Sequence, residues 1–220
     1  GNMWGLDFDP KGNLIACTNF GGFIGLHMVQ GGYYWKQFGK HGPLHNPFTF
    51  GYIDHMKHRG GGEGHVAVGG LFYRAPEFPK RFRGRFISGD LLGHSVHWHR
   101  LEPKGSTFET RYEGDILKGN DTWFAPTDVT LGPDGALYVT DWHDQRTAHP
   151  DPDADWDRTN GRIYRIAAND SKPIPKIDLV DRPSKDLIPE LTNPNIWYTR
   201  KARRLLADRR DATVLPELKK

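Results

Sequence analysis

Two stretches far apart in this chain carry one pattern, and that pattern narrows the fold more than any other feature. The first is Leu6-Asp7-Phe8-Asp9-Pro10-Lys11-Gly12-Asn13-Leu14-Ile15-Ala16-Cys17-Thr18-Asn19; the second is Val129-Thr130-Leu131-Gly132-Pro133-Asp134-Gly135-Ala136-Leu137-Tyr138-Val139-Thr140-Asp141-Trp142. In each, apolar residues alternate up to a Pro-x-Gly turn, where glycine supplies the positive φ of a hairpin, and a β-rich strand follows. A weaker third copy runs from Phe82 to Asp90 and aligns Phe86 with Leu14 and Leu137. The matched glycines Gly12, Gly84 and Gly135 are 72 and then 51 residues apart. The second interval is close to the roughly 40 to 50 residues of a propeller blade, so the first reads as a blade plus an insertion. Residues 41–65, with Gly-Pro, Asn-Pro and Gly60-Gly61-Gly62, read as that insertion and as a long loop rather than strands. Further strands are expected at 66–72, 95–101, 108–112 and 162–166, which makes about three four-stranded blades.

Composition agrees. With 36% hydrophobic residues, 26 Gly, 16 Pro and 7 Trp in 220 residues, short strands and turns are favoured over a helical bundle. No run of about 18 apolar residues offers a membrane span, and Gly1 to Pro10 has neither the basic nor the apolar part of a signal peptide. The chain opens without an initiator Met, and its β part, ending near Ile166, is too short for four blades of about 45 residues. A piece of a longer protein is therefore expected. The single Cys17 leaves no internal disulfide framework, no polythiolate zinc site and no C-x-x-C-H haem attachment in these residues, and reads as a small core residue.

Charge is uneven. Residues 200–220 hold 8 basic and 3 acidic side chains, so the +3 of the whole chain hides a net −2 over residues 1–199. Because Arg203-Arg204 and Arg209-Arg210 are interleaved with Leu205, Leu206 and Asp208 at helical spacing, and no aromatic platform accompanies them, they read as a solvated helix face and not a nucleic-acid site. The domain plan is a partial propeller over 1–170, a proline-rich linker over 171–183 and a helical segment over 184–220. In that last part Ser184 caps a short helix with Leu187, Ile188 and Leu191, Asn193-Pro194-Asn195 turns into a second with Tyr198, Ala202, Leu205 and Leu206 on one face, and Asp211 opens a third. Helices around tight turns are how an α-solenoid repeat begins.

Several segments together point to a family. Trp4-Gly5-Leu6-Asp7-Phe8-Asp9, His41-Gly42-Pro43-Leu44-His45-Asn46-Pro47, Phe78-Pro79 to Gly89-Asp90-Leu91, Asp128 to Trp142, and Asp157-Arg158-Thr159-Asn160-Gly161-Arg162-Ile163 resemble a bacterial membrane-bound dehydrogenase family. Its members look like long secreted proteins with a propeller, HEAT repeats and a c-type haem domain. More distantly, the propeller is similar to the soluble quinoprotein glucose, aldose and sorbosone dehydrogenases, which oxidise sugars with pyrroloquinoline quinone held over the central channel. The resemblance implies mainly β structure, about three blades of a six-bladed propeller followed by a HEAT-like segment, in a periplasmic or secreted protein. It implies a sugar or alcohol substrate and electron transfer to a c-type haem domain outside this chain.

Carried over by residue, the resemblance points to Asn2, Asn19 and Asp128 for cofactor binding; Arg158 joins them from its own surroundings, where it either pairs with Asp155 or Asp157 and holds that loop or reaches an anionic ligand at the channel mouth. Gly1-Asn2-Met3-Trp4-Gly5 keeps the asparagine of a quinone-touching motif without its arginine. Ala125-Pro126-Thr127-Asp128-Val129 stands where an Arg-x-Arg-Asp-Val motif supplies two more. The loop Asn19-Phe20-Gly21-Gly22-Phe23-Ile24-Gly25-Leu26 carries no carboxylate where those enzymes place calcium ligands.

The residues themselves nominate a second set. Loops after the inner strands of a propeller face its channel, and the repeat places Thr18-Asn19, Asp90 with His94, and Asp141 with His143 at equivalent positions. A histidine beside a carboxylate is a competent general base for a sugar or alcohol hydroxyl, which makes Asp90, His94, Asp141 and His143 the catalytic candidates. The same aspartates could instead brace blade corners through backbone N–H groups. His41, His45, His55, His58 and His65 match no metal-ligand spacing. His97 and His99 alternate with Val96 and Trp98 as in a half-buried strand. Asp151 to Asp157 suggests calcium, yet Trp156 and Arg162 stand where an EF-hand needs Gly and Glu. Three functions remain open: a quinoprotein-type sugar or alcohol oxidoreductase, a non-catalytic propeller that binds carbohydrate or protein, and a metal-dependent propeller hydrolase such as a lactonase, for which no full ligand set is seen.

Overall fold

A computed structural model describes residues 3–34, 52–62, 66–145, 157, 159–171 and 177–219. The first repeat folds as β1 (Met3–Phe8), β2 (Leu14–Thr18) and β3 (Gly25–Met28), an antiparallel sheet in the order β1-β2-β3. Its turn closes because Asp9 Oδ1 accepts Lys11 and Asn13 N–H groups, each at 2.8 Å, and Gly12 takes φ +88° where an L side chain would be strained. Two short parallel strands follow, β4 (Tyr33–Tyr34) and β5 (Tyr52–Ile53).

The middle sheet is an antiparallel meander of β7 (Ala67–Phe72), β8 (Phe86–Asp90), β9 (Ser95–Lys104) and β10 (Thr107–Lys118). The strand β6 (His58–Arg59) adds to its edge in parallel with β10. This corrects the reading of 41–65 as loop without strands: both β5 and β6 lie in it. The weak third repeat also differs from expectation, because Lys80–Phe82 is a 3-10 turn and the partner of β8 is β7. The last sheet runs β11 (Pro126–Leu131), β12 (Leu137–Asp141) and β13 (Ile163–Ile166).

First strands of successive sheets touch. A Cβ on Gly5 would lie 1.8 Å from the Gly69 carbonyl oxygen, and one on Gly69 would lie 2.5 Å from Val129 N, so β1 meets β7 and β7 meets β11 backbone to backbone. Asp7, buried between the first two, accepts the Phe72 N–H at 2.8 Å. Ile15, Cys17, Ile24, Met56, Ala67, Phe72 and Phe86 fill the space between the first and middle sheets, while Val66, Val68, Leu91 and Ala125 fill the next. Each large apolar side chain fully withdrawn from water contributes about 1.5–3 kcal/mol, so these clusters hold the sheets face to face. Burial pushes the Cys17 thiol well above its ordinary range, with Asp128 adding to the effect, which makes it the core residue expected.

The chain divides into two compact units: Gly1–Tyr73, Gly84–Thr130 and Tyr138–Arg165 make the first, and Arg74–Arg83, Leu131–Leu137 and Ile166–Lys220 the second. In the second, α1 (Ser184–Leu187) and α2 (Ile196–Arg209) pack around Leu179, Leu187 and Ala202, and α3 (Leu215–Leu218) follows. Ser184 is the first helical residue and Pro183 precedes it without a side-chain cap, whereas Asn195 caps α2 by accepting the Trp197 N–H at 3.0 Å. Asn195 Nδ2 also donates to the Gly132 and Pro133 carbonyls at 3.1 and 3.2 Å, so the cap ties the helix to the hairpin turn. Mainly β structure in several sheets, followed by short helices, is what the sequence led us to expect. No helix among the described residues is long and apolar enough to cross a membrane.

Candidate functional site

Asp141 ends β12 with its carboxylate buried, and three groups share it. Oδ1 accepts the Ala125 N–H at 2.9 Å and the His143 N–H at 2.8 Å, while Oδ2 lies 3.3 Å from His143 Nδ1. The chain turns so sharply here that His143 takes φ +53°, a conformation that costs a non-glycine residue about 1–3 kcal/mol and that clusters at functional sites. The Trp123 ring stacks on the imidazole at 5.5 Å between centroids and 23° between planes. Nε2, on the far side, lies 3.8 Å from Asp157 Oδ2, which is beyond hydrogen-bond length. Hydrogen bonds from the Thr159 hydroxyl, Asn160 amide and Thr159 N–H, with His143 adding a smaller attraction, hold Asp157 down at about 2, so it is a carboxylate across the neutral range.

His94 occupies the matching place after β8 and has the same φ, +53°. Its Nδ1 lies 2.7 Å from the Phe124 carbonyl oxygen; a carbonyl only accepts, so Nδ1 carries the proton. Its own carbonyl accepts the Gly119 N–H at 2.7 Å, and Asp121 Oδ1 accepts the Trp123 N–H at 2.9 Å, so residues 119–124 are fixed at both ends. Asp90 is buried and its Oδ1 accepts the Gly93 N–H at 3.0 Å, bracing the turn. Burial pushes the Asp90 carboxyl up, opposed by the Gly93 N–H and by His97 and His94. Of the four catalytic candidates, the structure joins Asp141 to His143 directly and uses His94 to hold the loop beneath them.

Beside His143 opens a cleft of about 380 Å3, bordered also by Lys118, Asp121, Phe124, Arg162 and Tyr164. Phe124 and Tyr164 meet edge to face at 5.4 Å. Aromatic edges among a few charged and hydroxyl groups make the kind of lining found in small-molecule sites. Neither Asp121 nor Trp123 was marked by the sequence, because both belong to a loop whose role appears only once His94 and Asp141 are seen to hold it.

The cofactor candidates lie elsewhere. Asn19 follows β2, and Asp128 stands exposed on β11 with Oδ1 accepting the Val129 N–H at 2.9 Å; neither borders the cleft. Asn2 and Arg158 lie outside the described residues, as do His41, His45, His65 and Asp151 to Asp155. Pyrroloquinoline quinone carries three carboxylates and needs cations. Where the quinoprotein motif has arginines, Ala125 is buried with its N–H on Asp141, and the Thr127 hydroxyl is paired with Thr140 at 2.8 Å, so these positions do not fit that group. Among the described residues no three His, Cys, Asp or Glu side chains converge as a metal site would require.

His97 and His99 are both buried, not half-exposed, since the middle sheet is covered on its two faces. His97 Nδ1 reaches the Gly62 carbonyl at 3.2 Å and His58 Nε2 the Gly61 carbonyl at 2.6 Å, so these histidines hold the glycine run onto the sheet.

No curated protein matches the chain. Among solved structures it is similar to a glucose dehydrogenase-type oxidoreductase from Thermus thermophilus, at 25% identity and a TM-score of 0.49, covering 74% of this chain and 43% of that one. The soluble aldose sugar dehydrogenase of Escherichia coli in its apo form is similar at 18% identity and a TM-score of 0.41 (66% and 42% covered), and a further glucose dehydrogenase at 17% and 0.41 (76% and 45%). The chain spans less than half the length of each of these structures. Residues 1–170 match the family described as a domain of unknown function, DUF7133, and the chain belongs to that family.

Proposed function

We propose that this chain is an arc of a dehydrogenase-like β-propeller whose cleft beside His143 receives a sugar or alcohol. The observation that carries the reading is the Asp141–His143 pair at the edge of that cleft. Asp141 Oδ2 accepts the Nδ1 proton and orients the ring, Trp123 holds its plane, and Nε2 is left as the base for a substrate hydroxyl. Asp121 and Arg162 at the rim can take further hydroxyl groups. His94 acts as a positioning residue for the loop. In the longer protein we place this arc in the periplasm or outside the cell, joined through a HEAT-like segment to a c-type haem domain that accepts the electrons; that part follows from the family resemblance.

The test is sugar-dependent reduction of a redox dye by the full-length protein, measured with and without added pyrroloquinoline quinone and calcium. Turnover that falls at least a hundredfold in His143→Ala supports the reading. Ala125 and Thr127, without cations, favour the other reading, a carbohydrate-binding propeller with no redox step. Saturable sugar binding with no dye reduction under any of these conditions would establish it instead.

A further inference from the structure

A second cavity, of about 540 Å3, opens between β3, the residues around β5 and the turn joining β9 to β10. Its volume lies in the range of small-molecule sites. Its polar groups are unevenly satisfied. His27 Nδ1 and Thr107 Oγ1 are buried atoms with no hydrogen-bond partner, which native interiors rarely tolerate. Among the described residues, the Lys57 ammonium makes no ion pair. Lys104 has only a 3.8 Å approach to Glu109, whose other oxygen is held by Arg59 at 3.0 Å. Asp54 borders the cavity as well, and Phe108 lies edge-on to His27 at 5.1 Å.

We propose that this cavity binds a sugar acid, a polyhydroxylated monocarboxylate whose carboxylate is taken by Lys57 and Lys104 and whose hydroxyls pair with Thr107 Oγ1 and His27 Nδ1. A neutral sugar would leave the unpaired lysine charge unanswered, and a phosphate dianion would face Asp54 and Glu109. The two carboxylates suit hydroxyl donors instead. Burial holds His27 below its ordinary range, outweighing the opposing pull of Asp9, so the imidazole stays neutral at pH 7 and meets a hydroxyl without a competing charge.

Calorimetric titration of the whole chain with D-glucuronate tests this. Saturable binding is expected, at least tenfold tighter than D-glucose or inorganic phosphate, and at least tenfold weaker in Lys57→Met and in Thr107→Val. Lys57 is exposed, so Lys57→Met is expected to keep the wild-type unfolding midpoint and report on binding alone. His143→Ala is expected to leave glucuronate binding unchanged, which separates this cavity from the cleft of the proposed dehydrogenase reading. Absence of saturable binding, affinity retained in Lys57→Met, phosphate binding as tightly as glucuronate, or loss of binding in His143→Ala would each overturn the proposal.

Discussion

His94 and Asp141 hold opposite sides of a single peptide group. The Phe124 carbonyl lies 2.7 Å from His94 Nδ1, and the N–H of the same peptide, on Ala125, donates to Asp141 Oδ1 at 2.9 Å. Trp123, one residue earlier, stacks on His143, and the next carbonyl, on Ala125, accepts the Trp142 N–H at 2.9 Å. Two loops at matching places in successive sheets thus grip one strand entrance, which sets the position of the ring that backs His143.

Because both side chains act on one peptide, their removal should not add. A double-mutant cycle of His94→Gly and Asp141→Asn, followed by urea unfolding, should give a coupling of about 0.5–3 kcal/mol. Glycine is chosen because it relieves the positive φ while removing the imidazole. His94→Gly should also be the milder of two changes, with His94→Ala about 1 kcal/mol worse at the same position. A coupling within error of zero would mean that the two contacts are independent.

Gly5→Ala places a methyl group on the Gly69 carbonyl, at a φ of +147°. If β1 and β7 are held as close as this, the variant should lose about 1–3 kcal/mol or more by thermal or chemical unfolding. Gly12→Ala has open space around its Cβ and bears only the cost of its turn φ, about 1 kcal/mol. Equal losses at the two positions would contradict close packing of the first strands.

What the sequence disclosed and what it hid divide along the range of the interactions. The β1–β2 and β11–β12 hairpins were legible because the Pro-x-Gly turns and the alternation around them are local. The parallel pairing of β6 with β10 was not, since nothing in residues 58–59 marks a partner fifty residues away. Alternation put His97 and His99 on one face of β9 but could not tell that this face is also covered. In the site, Asp141 beside His143 could be read from their spacing, whereas the use of His94 on Phe124 depends on a loop closing over thirty residues. The brace and the base had looked like alternatives for Asp141; in the structure one carboxylate oxygen does the first and the other can serve the second.

Tyr112 gives a pH signature. Burial first, then the hydrogen bond to Asp115 and that carboxylate's charge, push its hydroxyl up to about 12 from an ordinary 10. The folded protein thus binds this proton more tightly than the unfolded chain. The sign follows: the stabilisation is complete below pH 10 and is lost as pH rises through 12. Stability measured between about pH 9 and 12 should fall more steeply in the wild type than in Tyr112→Phe, and spectrophotometric titration should lose a tyrosine ionising near pH 12 in that variant. Parallel stability curves would contradict the assignment.

The central claim is that a sugar or alcohol hydroxyl meets His143 Nε2 while Asp141 keeps Nδ1. The 15N resonances of the His143 imidazole, followed as D-glucose and then ethanol are added, test it most directly. The account predicts a saturable shift of Nε2 with one of these ligands and little change at Nδ1. A bound sugar that leaves both nitrogens unmoved, or no response to either ligand, would contradict it.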